Sequence, residues 1–230
     1  MASRKSQNRK KPRKTAYLEV VEQRYYIFCE GEQTEPLYFK GFERAISSNP
    51  IYKDKVKIEV EGIGAETLRV INYAQEYVKR NQIKDAQIWC VYDKDSFPQQ
   101  DFNAVQDRAN FLNQNQENVQ YFLAWSNQCI EYWFILHFSW YVADNDRKYY
   151  IDFLNNQFHS LGLPKYKKRD PGLFDTLTNQ GNPKKAIQRA EKRIKECTGT
   201  ASQQVPATQV YLLIKELAKY LPDTIKKRYI

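Results

Sequence analysis

Cysteine is scarce and scattered in this chain. Of 230 residues four are cysteine, at Cys29, Cys90, Cys129 and Cys197, with no C-x-x-C pair among them. Disulfide frameworks and cysteine metal clips need closer or more numerous thiols, so both are excluded. Cys29, Cys90 and Cys129 each lie inside an apolar stretch, where a thiol acts as a small hydrophobe that fills the core. Long hydrophobic runs are missing as well. The longest, Trp133–Phe138, falls far short of the ~20 residues a membrane helix needs. Residues 1–20 hold no apolar h-region, so no secretory signal is expected, and a cytoplasmic location without membrane attachment is. No Walker A pattern occurs, and Gly62-x-Gly64 is too short for a phosphate loop, so any use of ATP must come through a partner. Histidine is limited to His137 and His159. The first sits in an apolar run and suits a hydrogen-bonded core position. The second suits a helix surface.

What the chain has in excess is positive charge, and its placement matters more than its size. The net charge is +9, and residues 1–14 carry Arg4, Lys5, Arg9, Lys10, Lys11, Arg13 and Lys14 with no acid, leaving +2 for the remainder. Such a segment cannot bury apolar surface, so residues 1–20 read as a basic, flexible arm. An arm of this kind speeds association with phosphate backbones without reading sequence. It also suits a solubility tail or a dock on an acidic partner. A second basic cluster, Lys165, Lys167, Lys168 and Arg169 beside Tyr166, fits phosphate contacts and base stacking. Lys184, Lys185, Arg189, Lys192, Arg193 and Lys195 decorate one helix, with 185, 189 and 193 on a common face. That pattern serves a nucleic-acid surface and a plain solvated face equally well.

The periodicity points to an α/β fold. Arg24–Cys29 and Gln87–Tyr92 are continuous apolar runs of the kind that parallel strands covered on both faces display. Lys55–Val60 alternates as a half-buried edge strand would, and Val119–Trp125 reads as a further strand. Between them lie helical patterns: one from Thr34, read as a capping residue with Pro36 in the first turn, one over 66–80, and one over 102–113. Strands alternating with helices argue for βαβ units and a mainly parallel sheet flanked by helices, with all strand carboxyl ends on one rim. After Cys129 the strand signal stops. Helices are expected near 129–139, 146–161, 170–178, 184–197 and 207–220, with 199–206 as a mobile loop. The organisation is an arm (1–20), an α/β core (21–140) and an α-helical elaboration packed on it (141–230).

Two of the buried strands end in carboxylates: Glu30, with Glu32 and Glu35 just after it, and Asp93 with Asp95. On one rim these groups converge. On an extended segment, side chains two apart point the same way, so Asp93 and Asp95 can share a cation. Mg²⁺, with Mn²⁺ as the alternative ion, takes oxygen ligands and keeps several waters, so two or three carboxylates suffice. Unpaired like charges raise one another's pKa, and a bound cation removes that penalty. Glu131 in the next helical segment is a candidate further ligand or simply the polar face of an amphipathic helix. Glu35 is a candidate ligand or a partner of the helix dipole. Ser126 and Asn127, at a strand end, suit a phosphate contact or, better, caps of the following helix. The reading requires Glu30 to face the Asp93/Asp95 pair, with these acids not taken up by arginine salt bridges.

Taken together, Ile27-Phe28-Cys29-Glu30-Gly31 and the strand-terminal Asp93-Lys94-Asp95 resemble the Toprim pattern of topoisomerases, primases and OLD-family nucleases. The longer segments CEGEQTEPLYFKGF (29–42), VYDKDS (91–96) and SNQCIEYWFILHF (126–138) resemble the RloB-like proteins, which include a component of AbiL-type phage-abortive systems. The resemblance covers roughly residues 24–220. It implies a Toprim-like fold, a nuclease-type metal site, an ABC-class ATPase partner encoded nearby and a role in prokaryotic anti-phage defence. By that resemblance Glu30 manages a proton or positions the metal, Asp93 and Asp95 form the metal pair, and Glu35 matches a second motif glutamate. Gln128 stands where proline is expected, and counterparts of further metal-binding acids are not evident, so one-metal and two-metal chemistry both stay open. Mg²⁺-dependent hydrolysis of phosphodiester bonds in RNA or DNA is the expected activity. A non-catalytic regulatory subunit that binds nucleic acid or the ATPase is the alternative, and self-association is compatible with either.

Overall fold

Alternation of side chains along the strands sets the layers. The computed structural model describes residues 21–115 and 119–230. The expected arm, with Arg9, Lys10, Lys11, Arg13 and Lys14, lies outside the described residues. The chain runs β1 (Gln23–Cys29), α1 (Thr34–Ser47), β2 (Val56–Gly62), α2 (Thr67–Arg80), β3 (Ala86–Asp93), α3 (Gln99–Asn115) and β4 (Val119–Asn127). It continues through α4 (Glu131–Ile135), α5 (Arg147–Ser160), α6 (Leu173–Gln180), α7 (Pro183–Glu196), β5 (Ala207–Thr208), α8 (Val210–Ala218) and α9 (Asp223–Lys226). The fold is α/β, with a five-stranded sheet in the order β2-β1-β3-β4-β5. The first four strands are parallel and β5 joins antiparallel to β4. No helix among the described residues is long and apolar enough to cross a membrane.

Both faces of the sheet are covered, which is why β1 and β3 read as unbroken apolar runs. Tyr25, Ile27 and Cys29 of β1 point into a core shared with α1 and with α4 to α8. Tyr26 and Phe28 point the other way, against α2 and α3. Cys29, Cys90 and Cys129 are buried and free, as core fillers should be. His137 is also buried, its Nδ1 3.1 Å from the Trp133 carbonyl oxygen, and His159 is an exposed helix residue.

The strand order creates one special crevice. From β1 the chain moves outward to β2, then crosses back over β1 to β3. Neighbouring connections therefore leave β1 and β3 on opposite sides, a topological switch point at which α/β sheets open beyond their carboxyl ends. Glu30 and Asp93 stand at those two ends.

Several local expectations change. Gln33, not Thr34, occupies the N-cap of α1, and Thr34 is its first, buried residue. Pro36 still falls in the first turn, where its missing N–H has no partner to lose. The helix expected over 129–139 is only Glu131–Ile135, because its last carbonyls find other donors: Arg189 Nη1 reaches Leu136 O at 2.6 Å and the Asn182 N–H reaches His137 O at 3.0 Å. Ser126 and Asn127 do not cap it. Both belong to β4, with Ser126 Oγ 3.0 Å from Thr208 Oγ1 and Asn127 Nδ2 donating to Ser202 O at 3.0 Å. The stretch read as a mobile loop holds a 3₁₀ turn at Ala201–Gln203, buried at Ser202 and tied to Asn103. β5, which follows it, went unread because two residues show no periodicity.

Candidate functional site

Packing of the two acid-bearing helices fixes the site. Trp133 of α4 donates its indole N–H to the Tyr38 hydroxyl of α1 at 3.0 Å, and Tyr38 packs edge-on against Phe134. This contact sets Glu35, in the first turn of α1, beside Glu131, in the first turn of α4. Gly31 allows Glu35 to fold back over the β1 exit, since a Cβ there would lie 2.4 Å from Glu35 Oε2. Gly62 lets the end of β2 close on the same turn, with Gly31 O only 2.5 Å from where its Cβ would be. A side chain at Gly62 would push the backbone of the acidic turn out of place, and one at Gly31 would displace the Glu35 carboxylate.

Glu30, Glu35, Asp93, Asp95 and Glu131 line one cleft of about 350 Å³, together with Arg147, Lys168 and Arg169. Glu30 Oε2 accepts the backbone N–H of Asp93 at 2.9 Å, which ties the two strand ends together across the switch point. Asp93 is 2% exposed and Glu131 is 1% exposed. The Asp93–Asp95 segment is not extended, as the sequence pattern suggested. The chain turns at Asp95, with φ 39°, and is pinned by Lys94 N–H to Ser126 O and Asp95 N–H to Gln128 O. The two carboxylates still face a common point. Glu32 is exposed at the cleft mouth, against Gly64.

An arginine stands at that common point. Arg147, the first residue of α5, places Nη2 3.0 Å from Asp93 Oδ2 and 2.7 Å from Asp95 Oδ1, with Nε 3.9 Å from Glu131 Oε2. The acids therefore meet as expected, but the requirement that no arginine take them up is not met. Among the described residues no three acidic, histidine or cysteine side chains form a group that could hold a metal ion. Sequence reasoning missed Arg147 because nothing in Asp146-Arg147 distinguishes it from any charged helix start. It also misjudged Tyr166, which is buried rather than a stacking platform and donates its hydroxyl to Glu131 Oε1 at 3.1 Å.

The electrostatics show an excess of negative charge that one guanidinium does not neutralise. Burial pushes the Glu30 carboxyl up to about 7; the Asp93 N–H opposes this, and Asp95 and Glu35 add to it. Burial, then Glu35 and Glu131, holds Asp93 well above the usual carboxylate range. Asp95 and Glu35 are raised too, each mainly by burial. Burial alone pulls the Arg147 pKa down, but Asp93, Glu131 and Asp95 outweigh it, so the guanidinium stays charged. Three polar atoms in the cluster lack hydrogen-bond partners: Asp93 Oδ1, Glu131 Oε2 and Arg147 Nε. Oxygen donors with orphaned buried atoms suit a hard divalent cation such as Mg²⁺ or Mn²⁺. The donor type suits such an ion, but as the side chains stand no three of them are arranged to hold one, and the guanidinium occupies the place between them.

Over residues 25–217 the sequence matches the family model described as RloB-like protein. The chain belongs to the RloB-like family. No curated protein and no solved structure matches it. In this RloB-like chain the other predicted basic residues fall into two groups. Lys168 and Arg169 are exposed and line the acidic cleft, with Lys167 exposed beside them. On α7, Lys185 is exposed, whereas Arg189 holds the Leu136 carbonyl and Arg193 holds those of Val205 and Pro206. The shared face of cations is thus partly turned inward, and two of its members brace the fold.

Proposed function

We propose that this RloB-like protein is a divalent-metal-dependent phosphodiesterase acting on RNA or DNA. The observation that carries the reading is the gathering of five carboxylates at the switch point with one guanidinium between them and two buried carboxylate oxygens unpartnered. Asp93, Asp95 and Glu131 would hold Mg²⁺ or Mn²⁺ once Arg147 leaves and their carboxylates close on the ion, with Glu35 and Glu30 beside them. A cation there supplies Lewis-acid polarisation of a phosphoryl oxygen. Glu30, its carboxyl raised to about 7, is suited to take up or return a proton near neutral pH. Lys168 and Arg169 at the cleft rim offer charge to the flanking phosphates. The relation to Toprim and OLD-family nucleases, an ABC-class ATPase partner and an anti-phage role belong to this proposal and rest on the sequence resemblance.

One observation favours a second reading. Arg147 bridges Asp93 and Asp95, as it would in a non-catalytic subunit whose acids are structural. The deciding experiment incubates the pure protein, alone and with the ATPase of its genomic neighbourhood, with mixed RNA and DNA and Mg²⁺ or Mn²⁺. Cleavage that disappears in EDTA and in Asp95→Asn is the expected result. Binding without cleavage under every condition would replace the nuclease with the regulatory subunit.

A further inference from the structure

We infer that Arg147 is a replaceable internal cation, which holds the acidic cluster together until a divalent ion displaces it. The inference rests on the metal-site reading above and adds a regulation to it. In a purely structural cluster the buried polar atoms are paired, because an unpaired buried donor or acceptor carries its full desolvation penalty. Here one nitrogen, Nη2, serves both Asp93 and Asp95. Nε has no hydrogen-bond partner and faces Glu131 Oε2 across 3.9 Å, and neither that oxygen nor Asp93 Oδ1 has a partner. The guanidinium's planar fork thus fails to match the carboxylates it sits among. A compact cation on which these carboxylates closed would not impose the fork's geometry, and it would give Glu131 Oε2 the partner it lacks.

The route out is present as well. The Arg147 side chain is 35% exposed, so its guanidinium already borders the cleft and can swing toward solvent without opening the core. It lies at the start of α5, where only the first turn has to adjust. Once released it remains in a cleft that Lys168 and Arg169 also line, and a guanidinium presents two parallel N–H donors to a phosphate. Metal occupancy and grip on a phosphodiester would then be linked: the site without metal keeps its arginine turned inward, and the loaded site offers it to substrate.

The test is metal binding, not turnover. Mn²⁺ is titrated calorimetrically into the metal-stripped full chain, as wild type, Arg147→Gln and Lys168→Gln. Lys168→Gln removes a charge from the exposed cleft rim without touching Asp93 or Asp95, and so sets a lower bound on the purely electrostatic effect. If the guanidinium occupies the cluster about nine-tenths of the time, its removal tightens the apparent affinity about tenfold. The expected result is that gain in Arg147→Gln and a distinctly smaller one in Lys168→Gln. Equal or weaker binding in Arg147→Gln, or an equal gain in both variants, makes Arg147 a fixed strut and overturns the inference while leaving the metal reading intact. Absence of Mn²⁺ binding in all three proteins overturns both. Because a charge beside the carboxylates repels a metal ion more than one at the rim, displacement itself is decided on the wild-type protein, whether or not Arg147→Gln folds. The Arg147 Nε–H resonance, assigned with Arg147→Lys, must move as Mg²⁺ is added, and a resonance unchanged at saturating metal refutes displacement.

Discussion

Replacing Asp93 with asparagine separates a functional acid from a structural one. The substitution keeps the shape and an acceptor oxygen for Arg147 Nη2, at 3.0 Å in the wild type, but removes the charge. The attraction to Arg147, about 5 kcal/mol at an effective dielectric near 20 before screening, is lost, and the cost of burying an ionised carboxylate, the largest cause of its raised pKa, is relieved. Relief of repulsion also offsets the lost attraction. Asp93 Oδ2 and Asp95 Oδ1 bind the same nitrogen at 3.0 and 2.7 Å, so they lie within about 6 Å of each other. Two like charges at about 6 Å repel by about 3 kcal/mol at an effective dielectric near 20, and about half of that survives solvent screening of the partly exposed Asp95. Glu35 and Glu131 add to the gain. To the degree that Asp93 already keeps a proton at neutral pH, all these terms shrink together and the balance moves toward zero without changing sign. The net effect is stabilisation by about 0–1 kcal/mol, or a Tm raised by up to about 4 °C. The assay is differential scanning calorimetry at pH 7.5 in EDTA and again in excess Mg²⁺. In Mg²⁺ the wild type should gain and Asp93→Asn should gain less. A fall of more than about 4 °C in EDTA would show that the Asp93–Arg147 pair holds the fold together, and the argument from excess charge would fail.

Three further outcomes are expected. Glu30 has a folded pKa of about 7 against about 4.3 unfolded, so its contribution is fully present below about 4.3 and is lost as pH rises through 7; in EDTA the Tm should be higher at pH 5.5 than at pH 8, and Glu30→Gln should flatten that slope. Tyr166→Phe strands the buried Glu131 Oε1 without its donor, at a cost of about 1–3 kcal/mol, and calorimetry should record a Tm lower by about 3–9 °C. Deleting residues 1–14 removes seven cations, and if the arm contacts duplex phosphates the slope of log K against log salt should become shallower by up to about 6, measured by fluorescence anisotropy; an unchanged slope assigns the arm to another partner.

The sheet was legible because its strands are buried on both faces, and unbroken runs such as Arg24–Cys29 and Gln87–Tyr92 have few other uses. The meeting of Glu30 with Asp93 followed from parallel strands having their ends on one rim. What escaped the sequence was everything set by long-range packing. β5 is two residues long and exists because β4 offers it an edge. Glu131 was one of two readings until the Trp133–Tyr38 contact placed it in the cleft. Arg189 and Arg193 share the face that the spacing indicated, yet that face turns toward unpaired carbonyls, which leave no mark in the sequence. Arg147 lies 54 residues from Asp93, and only the fold brings them together.

Replacing a buried ion-pair network with apolar side chains of similar volume is often neutral or stabilising. A site needing only rigidity would therefore tolerate Leu or Met at 93 and 131, positions that are 2% and 1% exposed and stand at the edge of an aromatic core. This chain instead sets five carboxylates around one cation whose donors do not match them, at the crevice where strand order reverses. Gly31 and Gly62 together leave room for the acidic turn after β1 to close in. The divalent ion proposed for this cleft would complete such an arrangement.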